Sequence, residues 1–328
     1  MSKQLGTLTI ALLRLLLIGL LLLSEAAFAA LVPGDYEFFV THQGLRRSYL
    51  MHVPPQAKGD AALPLVLAFH GAGSNAEVMR AYTRMDRSAD RDGYIVVYPN
   101  GSSGINGRFL TWNAGNCCGP AQLLQVDDVG FSLSVLDDVA VRVSVDNTRV
   151  YATGLSNGAM MAYRLAAEAA HRIAAVAGVA GSMSVQRFAP SRPMPVLHIH
   201  STHDHIARYG GGVGTPSTLA DTRMLHTSVE EMLRRWLDYD GCPLKAAAVE
   251  TIAGERGTPD ETHSAIRRVY GPCRQGVEVV LIQLAGAGHV WPGGVRDYNP
   301  ELLGAGTAVV DANTEMWRFF SRFRRFSK

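Results

Sequence analysis

Net charge is nearly absent from this 328-residue sequence: 31 lysines and arginines stand against 29 acidic residues, and no basic block occurs before the terminal RFRRFSK. That balance excludes a charge-driven partner, so neither a nucleic-acid surface nor a strongly acidic substrate is expected, and the tail reads as the solvated end of a helix. Cysteine is scarce, four in all, and no Cys-x-x-Cys pair is present, so no structural zinc site is expected. An internal repeat, a Thr/Ser/Pro-rich linker and a second compositional block are missing too. Residues 30–328 therefore read as one domain, and 47% hydrophobic residues suffice for a large core.

What the sequence does have begins at its N-terminus. Lys3 precedes the apolar run LTIALLRLLLIGLLLL, and Ala27-Phe28-Ala29 supplies a small-x-small cleavage pattern, so residues 1–29 read as a secretory signal peptide. Arg14 interrupts the run, which argues against a retained, stable membrane anchor. No cysteine lies at the cleavage point, which argues against a lipid anchor. A secreted or periplasmic protein is expected, in an oxidising setting where Cys242 and Cys273 form the easier disulfide. Cys117 and Cys118 are adjacent, with Cα atoms about 3.8 Å apart across a trans peptide, shorter than an ordinary bridge accepts. A vicinal disulfide and two thiols both remain open.

Further along, YEFFV and RRSYLMHVP alternate like antiparallel edge strands. LPLVLAFHG and GYIVVYPNG are near-continuous apolar runs separated by a helical stretch, 76–93, that closes on Gly93. The same rhythm repeats: helix 126–145, strand RVYATG, helix NGAMMAYRLAAEAA, strands IAAVAGVAG and MPVLHIH, a helix after a Thr227/Glu230 capping box, strand VEVVLIQL and a last helix at 314–326. Strands alternating with helices predict an α/β fold, a mostly parallel sheet with helices on both faces.

At the end of one such strand stands Gly154-Leu155-Ser156-Asn157-Gly158. This is the G-x-S-x-G nucleophile elbow, in which glycines relieve collisions around a strained serine and the following helix aims its N-terminus at the reaction centre. The Asn157 amide is placed to meet an oxyanion, and Ala72, in the His70-Gly71-Ala72-Gly73 run after an earlier strand, is the second donor. A serine hydroxyl needs a base and an orienting acid. Asp204 follows the strand ending at His200, and His289 follows the last strand in LAGAGHVWPGG. The order Ser156, Asp204, His289 is that of α/β-hydrolases. Asp221 and Asp297 are the alternative acids; His263, His226 and the 198–205 histidines are the alternative bases. His198, His200, His203 and His205 around Asp204 also suggest a metal-dependent hydrolase, but its ligand run would need an acid where Thr202 stands.

Taken in order, FHGAGSN, WNAGNCCGPA, VDDVGF, VYATGLSNGAMMAYRLA, LHIHSTHDHI and GAGHVWPGG make the chain resemble the secreted polyhydroxybutyrate depolymerase and feruloyl esterase family of α/β-hydrolases. The resemblance spans roughly the whole mature chain. It implies serine ester hydrolysis through an acyl-enzyme, with Ser156 as nucleophile, His289 as base and then acid, and Asp204 fixing the imidazole. It implies no cofactor and no metal. The HSTHD loop departs from the family, where a glycine and a small residue are commoner, and Ala72 stands where several relatives carry cysteine.

Trp112, Asn113 and Trp291 are placed to line a cleft for an aromatic acyl group; packing at loop roots is their other reading. The family's depolymerases of solid polyester usually carry a polymer-binding module that is not visible here. The expected substrate is therefore a small or oligomeric ester derived from polysaccharide or polyester. A non-catalytic surface binding protein on the same scaffold is the third reading.

Overall fold

The computed structural model describes residues 31–59, 61–102, 107–215 and 225–325; the signal-peptide segment 1–29 and Asp221 lie outside them. The strands are β1 (Gly34–His42), β2 (Leu45–Val53), β3 (Leu63–Phe69), β4 (Ile95–Pro99), β5 (Val145–Leu155), β6 (Ala175–Val179), β7 (Val196–Ser201), the short β8 (Gly212–Val213) and β9 (Leu225–His226), β10 (Ala248–Ala253), β11 (Ser264–Tyr270) and β12 (Val279–Ala285). Ten of them form one sheet in the order β1-β2-β4-β3-β5-β6-β7-β12-β11-β10. The six strands from β4 to β12 are mutually parallel, and antiparallel pairs extend both ends.

The helices are α1 (Ala76–Thr83), α2 (Met85–Asp92), α3 (Gly119–Leu123), α4 (Asp128–Ala140), α5 (Asn157–Glu168), α6 (Val229–Asp240), α7 (Pro300–Leu303) and α8 (Ala312–Phe320). Strand side chains alternate between faces, and the core divides accordingly. Leu65, Leu67 and Phe69 of β3 pack with α4, α5 and α6. Val66 and Ala68 pack with α1, α2 and α8 on the other face. Among the described residues no helix is long and apolar enough to cross a membrane.

Two local expectations shift. The helical stretch at 76–93 is two helices, broken at Arg84, whose φ of 51° is left-handed. The Thr83 carbonyl freed by the break accepts from Asn313 Nδ2 at 2.8 Å, so tertiary structure compensates the lost helical bond. Helix α6 is capped by Ser228, whose side chain accepts from Glu231 N–H, one residue later than the expected Thr227/Glu230 box. Strands β10 and β11 were not expected; β10 is mostly exposed, so its apolar pattern is weak.

Cys242 and Cys273 form the expected disulfide, their Cα atoms 4.3 Å apart, tying the end of α6 to the turn after β11. Cys117 and Cys118 are also joined, across a cis peptide bond that brings their Cα atoms to 3.0 Å.

Candidate active site

Strand order reverses between β3 and β5, because the chain leaves β3 toward β4 and returns on the opposite side as β5. Such a switch opens a crevice at the carboxyl ends of the strands. Ser156 leaves β5 there with φ 58° and ψ −121°, a conformation rare for a residue with a side chain. Its N–H donates to the Val179 carbonyl at 2.9 Å, and its carbonyl accepts from Met160 N–H as α5 starts. The flanking glycines are required sterically. A Cβ on Gly154 would lie 2.7 Å from the Phe69 carbonyl oxygen, and one on Gly158 would lie 2.6 Å from that of His70. Helix α5 therefore sits directly on the turn that follows β3.

That turn is held by buried polar contacts. His70 Nδ1 lies 2.8 Å from the Gly71 carbonyl and so donates; Nε2 accepts from Gly101 N–H at 2.9 Å. Burial pushes the His70 pKa down to about 4, which keeps this neutral tautomer. The Trp112 indole N–H donates to the His70 carbonyl at 2.9 Å. The Asn157 side chain grips Trp112 from both sides, accepting from its N–H at 2.8 Å and donating to its carbonyl at 3.0 Å. The Asn157 amide, in the first turn of α5, has no intrahelical acceptor. Among the described residues neither it nor the Ala72 amide donates to a loop carbonyl.

Asp204 follows β7 and is buried. Its Oδ1 accepts from the Ile206 and Ala207 amides at 2.9 and 2.8 Å. Its Oδ2 meets His289 Nδ1 at 2.7 Å and His200 Nε2 at 3.2 Å. Burial alone would raise the carboxyl pKa, but the charge of His289 and the hydrogen bonds from His200 and His289 outweigh it and hold the group far below the usual range. His289 is anchored by its own N–H on the Leu303 carbonyl. With Nδ1–H committed to the carboxylate, Nε2 is the basic nitrogen. No hydrogen bond joins it to Ser156 Oγ among the described residues, which is common for such pairs without substrate.

The alternatives separate. Asp297 is exposed, and His263 pairs with Asp260 at 2.9 Å instead. The four clustered histidines do not converge as ligands. His198 and His200 direct their ring nitrogens at each other, Tyr163 and the Ala207 carbonyl, while His203 accepts from Gly286 N–H.

Trp112, Asn113 and Trp291 correct the expected cleft lining, because they are 0%, 3% and 2% exposed. Trp112 packs edge-on against Phe69 at 5.0 Å. Asn113 donates to the Val126 carbonyl, and Trp291 donates to Asn313. All three are internal props rather than open stacking surfaces. The sequence reading also missed the buried Arg47–Asp128 ion pair at 2.7 Å, in which Asp128 accepts from Asn113 N–H and Arg47 lies 3.6 Å over the Phe131 ring. Arg47 follows Arg46 at the polar start of β2 and Asp128 follows Asp127, so neither stands out in the sequence as half of a buried pair. A cavity of about 600 Å³, lined in part by Arg46, Arg47, Asn100, Ser102 and Gln125, lies beyond β4 and includes none of Ser156, Asp204 and His289.

Comparison with known proteins agrees with this architecture. The family model described as Esterase PHB depolymerase matches residues 47–221. NocK of Nocardia uniformis subsp. tsuyamanensis, a protein named as an esterase, is 30% identical over 80% of this chain and 75% of its own length. Feruloyl esterase B of Piromyces equi is 27% identical over 74% of this chain. The bifunctional acetylxylan esterase/xylanase XynS20E of Neocallimastix patriciarum is 27% identical over 78%. The match spans only 42% and 32% of those two relatives. Among solved structures, acetyl xylan esterase from Aspergillus awamori superposes with a TM-score of 0.53 at 15% identity, covering 87% of this chain and 99% of that one.

Proposed function

The chain belongs to the esterase PHB depolymerase family and is a carboxylic ester hydrolase, and from that premise we propose that it works through Ser156, His289 and Asp204 by way of an acyl-enzyme. The observation that carries the reading is the 2.7 Å bond between His289 Nδ1 and Asp204 at the sheet edge where Ser156 turns out of β5. His289 Nε2 takes the serine proton as Oγ attacks the ester carbonyl. The Ala72 and Asn157 amides receive the oxyanion. The imidazolium, stabilised by Asp204, returns the proton to the leaving alcohol, and water then repeats the sequence to release the acid.

Buried His70, Trp112 and Asn157 support this role by fixing the two amides before substrate arrives. The names of the relatives favour acyl groups borne on plant polysaccharide, feruloyl or acetyl; the family description favours hydroxybutyrate oligomers. We further propose that residues 1–29 are removed on export and that residues 30–328 act as one catalytic domain, secreted or periplasmic. The experiment is hydrolysis of p-nitrophenyl acetate, methyl ferulate, acetylated xylan and hydroxybutyrate oligomers by the parent and by Ser156→Ala. Equal rates for the two proteins would refute the mechanism. A mature N-terminus other than Ala30 would refute the cleavage site.

A further inference from the structure

Behind Asp204 lies a row of titratable side chains that the ester chemistry leaves unused. Tyr163 Oη is 2.8 Å from His198 Nδ1, and His198 Nε2 is 3.0 Å from His200 Nδ1. His200 Nε2 is 2.6 Å from the Ala207 carbonyl and 3.2 Å from Asp204 Oδ2. Tyr163 projects from α5, and the histidines share one face of β7; all three are 0–1% exposed. Trp236 of α6 lies against Tyr163, and Tyr209 meets the His200 ring edge-on at 5.8 Å. Among the described residues Asp204, which in turn holds His289, is the charged group that meets the row.

The hydrogen bonds in this row run one way. The Ala207 carbonyl only accepts, so His200 Nε2 must donate. A neutral imidazole carries one N–H, so His200 Nδ1 accepts, His198 Nε2 donates, and His198 Nδ1 takes the Tyr163 hydroxyl proton. Burial supports those states. It drives the His198 pKa well below its ordinary value, with His200 adding to the effect, and holds the Tyr163 phenol far above its own. Reversing the row would leave the phenolic proton aimed at no acceptor in a dry interior, which is costly.

We propose that His200 is a positioning residue for the His289–Asp204 pair: its Nε2–H, bonded to the Ala207 carbonyl at 2.6 Å, also faces Asp204 Oδ2 at 3.2 Å as a longer second acceptor, and the one-way chain from Tyr163 through His198 holds it in that state. This rests on the Ser156 mechanism above. Two amides fix Oδ1 of the carboxylate. The His200 N–H, shared between the Ala207 carbonyl and Oδ2, biases the tilt at the oxygen on which His289 depends.

The test is steady-state hydrolysis of p-nitrophenyl acetate by the parent, His200→Met, His200→Gln, Tyr163→Phe and Ser156→Ala, with thermal unfolding of each. Methionine fills the site without a donor; glutamine returns an N–H near the Nε2 position. His200→Met should lose about 10- to 100-fold in kcat, the usual scale for a group that orients another, with KM within about twofold. His200→Gln should recover most of the loss. Tyr163→Phe, lacking one hydrogen bond, should lose about 2- to 10-fold. The low-field proton resonance of His289 Nδ1–H should broaden in His200→Met and persist in His200→Gln. Parental kcat in His200→Met, or equal impairment in Met and Gln, overturns the inference while an inactive Ser156→Ala leaves the ester mechanism standing. An active Ser156→Ala overturns both. Should His200→Met fail to fold, Tyr163→Phe decides, and parental kcat there counts against the chain.

Discussion

Replacing Gly158 with alanine tests how closely α5 must sit on the turn after β3. The added Cβ would lie 2.6 Å from the His70 carbonyl oxygen and 2.6 Å from the Phe69 carbonyl carbon, where ordinary contacts begin near 3.4 Å. Both obstacles are main-chain atoms at the end of a strand paired on both sides, so no rotamer change relieves them. Either α5 lifts or the His70–Ala72 turn retreats, by roughly an ångström. Overpacking of this kind costs about 1–3 kcal/mol of stability. The same shift separates the Asn157 and Ala72 amides: a 1 Å misplacement is worth about 100-fold in rate, and loss of one oxyanion donor about 100- to 1000-fold. Kinetics on p-nitrophenyl acetate and urea unfolding measure the two effects. Gly210→Ala is the control, because its Cβ would meet nothing within 4 Å and its φ is not positive. It should keep parental kcat and be unchanged or up to about 1 kcal/mol more stable. Parental kcat and stability in Gly158→Ala would refute the steric reasoning.

Asp204→Asn should lower kcat by about 10³- to 10⁴-fold: Oδ1 is claimed by two amides, so the new NH₂ faces His289 and forces the wrong tautomer. Near-parental turnover would count against Asp204. Removing the Cys242–Cys273 bridge, which closes a 31-residue separation, should cost about 3–4 kcal/mol on the chain-entropy model, read as a lowered urea midpoint; an unchanged midpoint would contradict it. Burial raises the Asp240 pKa to about 7, against the Met194 amide, Arg274 and Arg192. The unfolded value is about 3.9, so the stabilisation it contributes is full below that and is lost as pH rises through about 7. Asp240→Asn keeps an acceptor for the Met194 amide and should gain on the parent between about pH 4 and about pH 7; parallel pH curves would contradict this.

Much of the architecture is legible because its signals are local. A buried parallel strand is a short apolar run: β3, β4 and β6 fall inside the stretch that the sequence marks, and β7 and β12 overrun theirs by one residue. The elbow is legible because glycines at 154 and 158 answer a steric demand that no other residue meets. Exposed β10 and arginine-bearing β11 escaped because one-sided burial leaves a weak pattern. The tryptophans misled for a different reason. Trp112 and Trp291 stand in loops, where both substrate and packing want large rings, and only the third dimension shows which claims them. The one-way chain behind Asp204 is half legible: alternation puts His198 and His200 on one face, but Tyr163 approaches from a separate helix, and nothing in its local pattern announces it.

The antiparallel pair beyond β12 bears on the endurance of the site. Because β12 is bonded to β7 on one side and β11 on the other, the strand leading to His289 is an interior strand, and fraying that begins at β10 must cross β11 before reaching it. Amide protons of β12 should therefore exchange with solvent only through near-global opening, whereas the outward-facing amides of β10 exchange first. The extra hairpin acts as a sacrificial margin, keeping thermal erosion of the molecule's rim away from the imidazole.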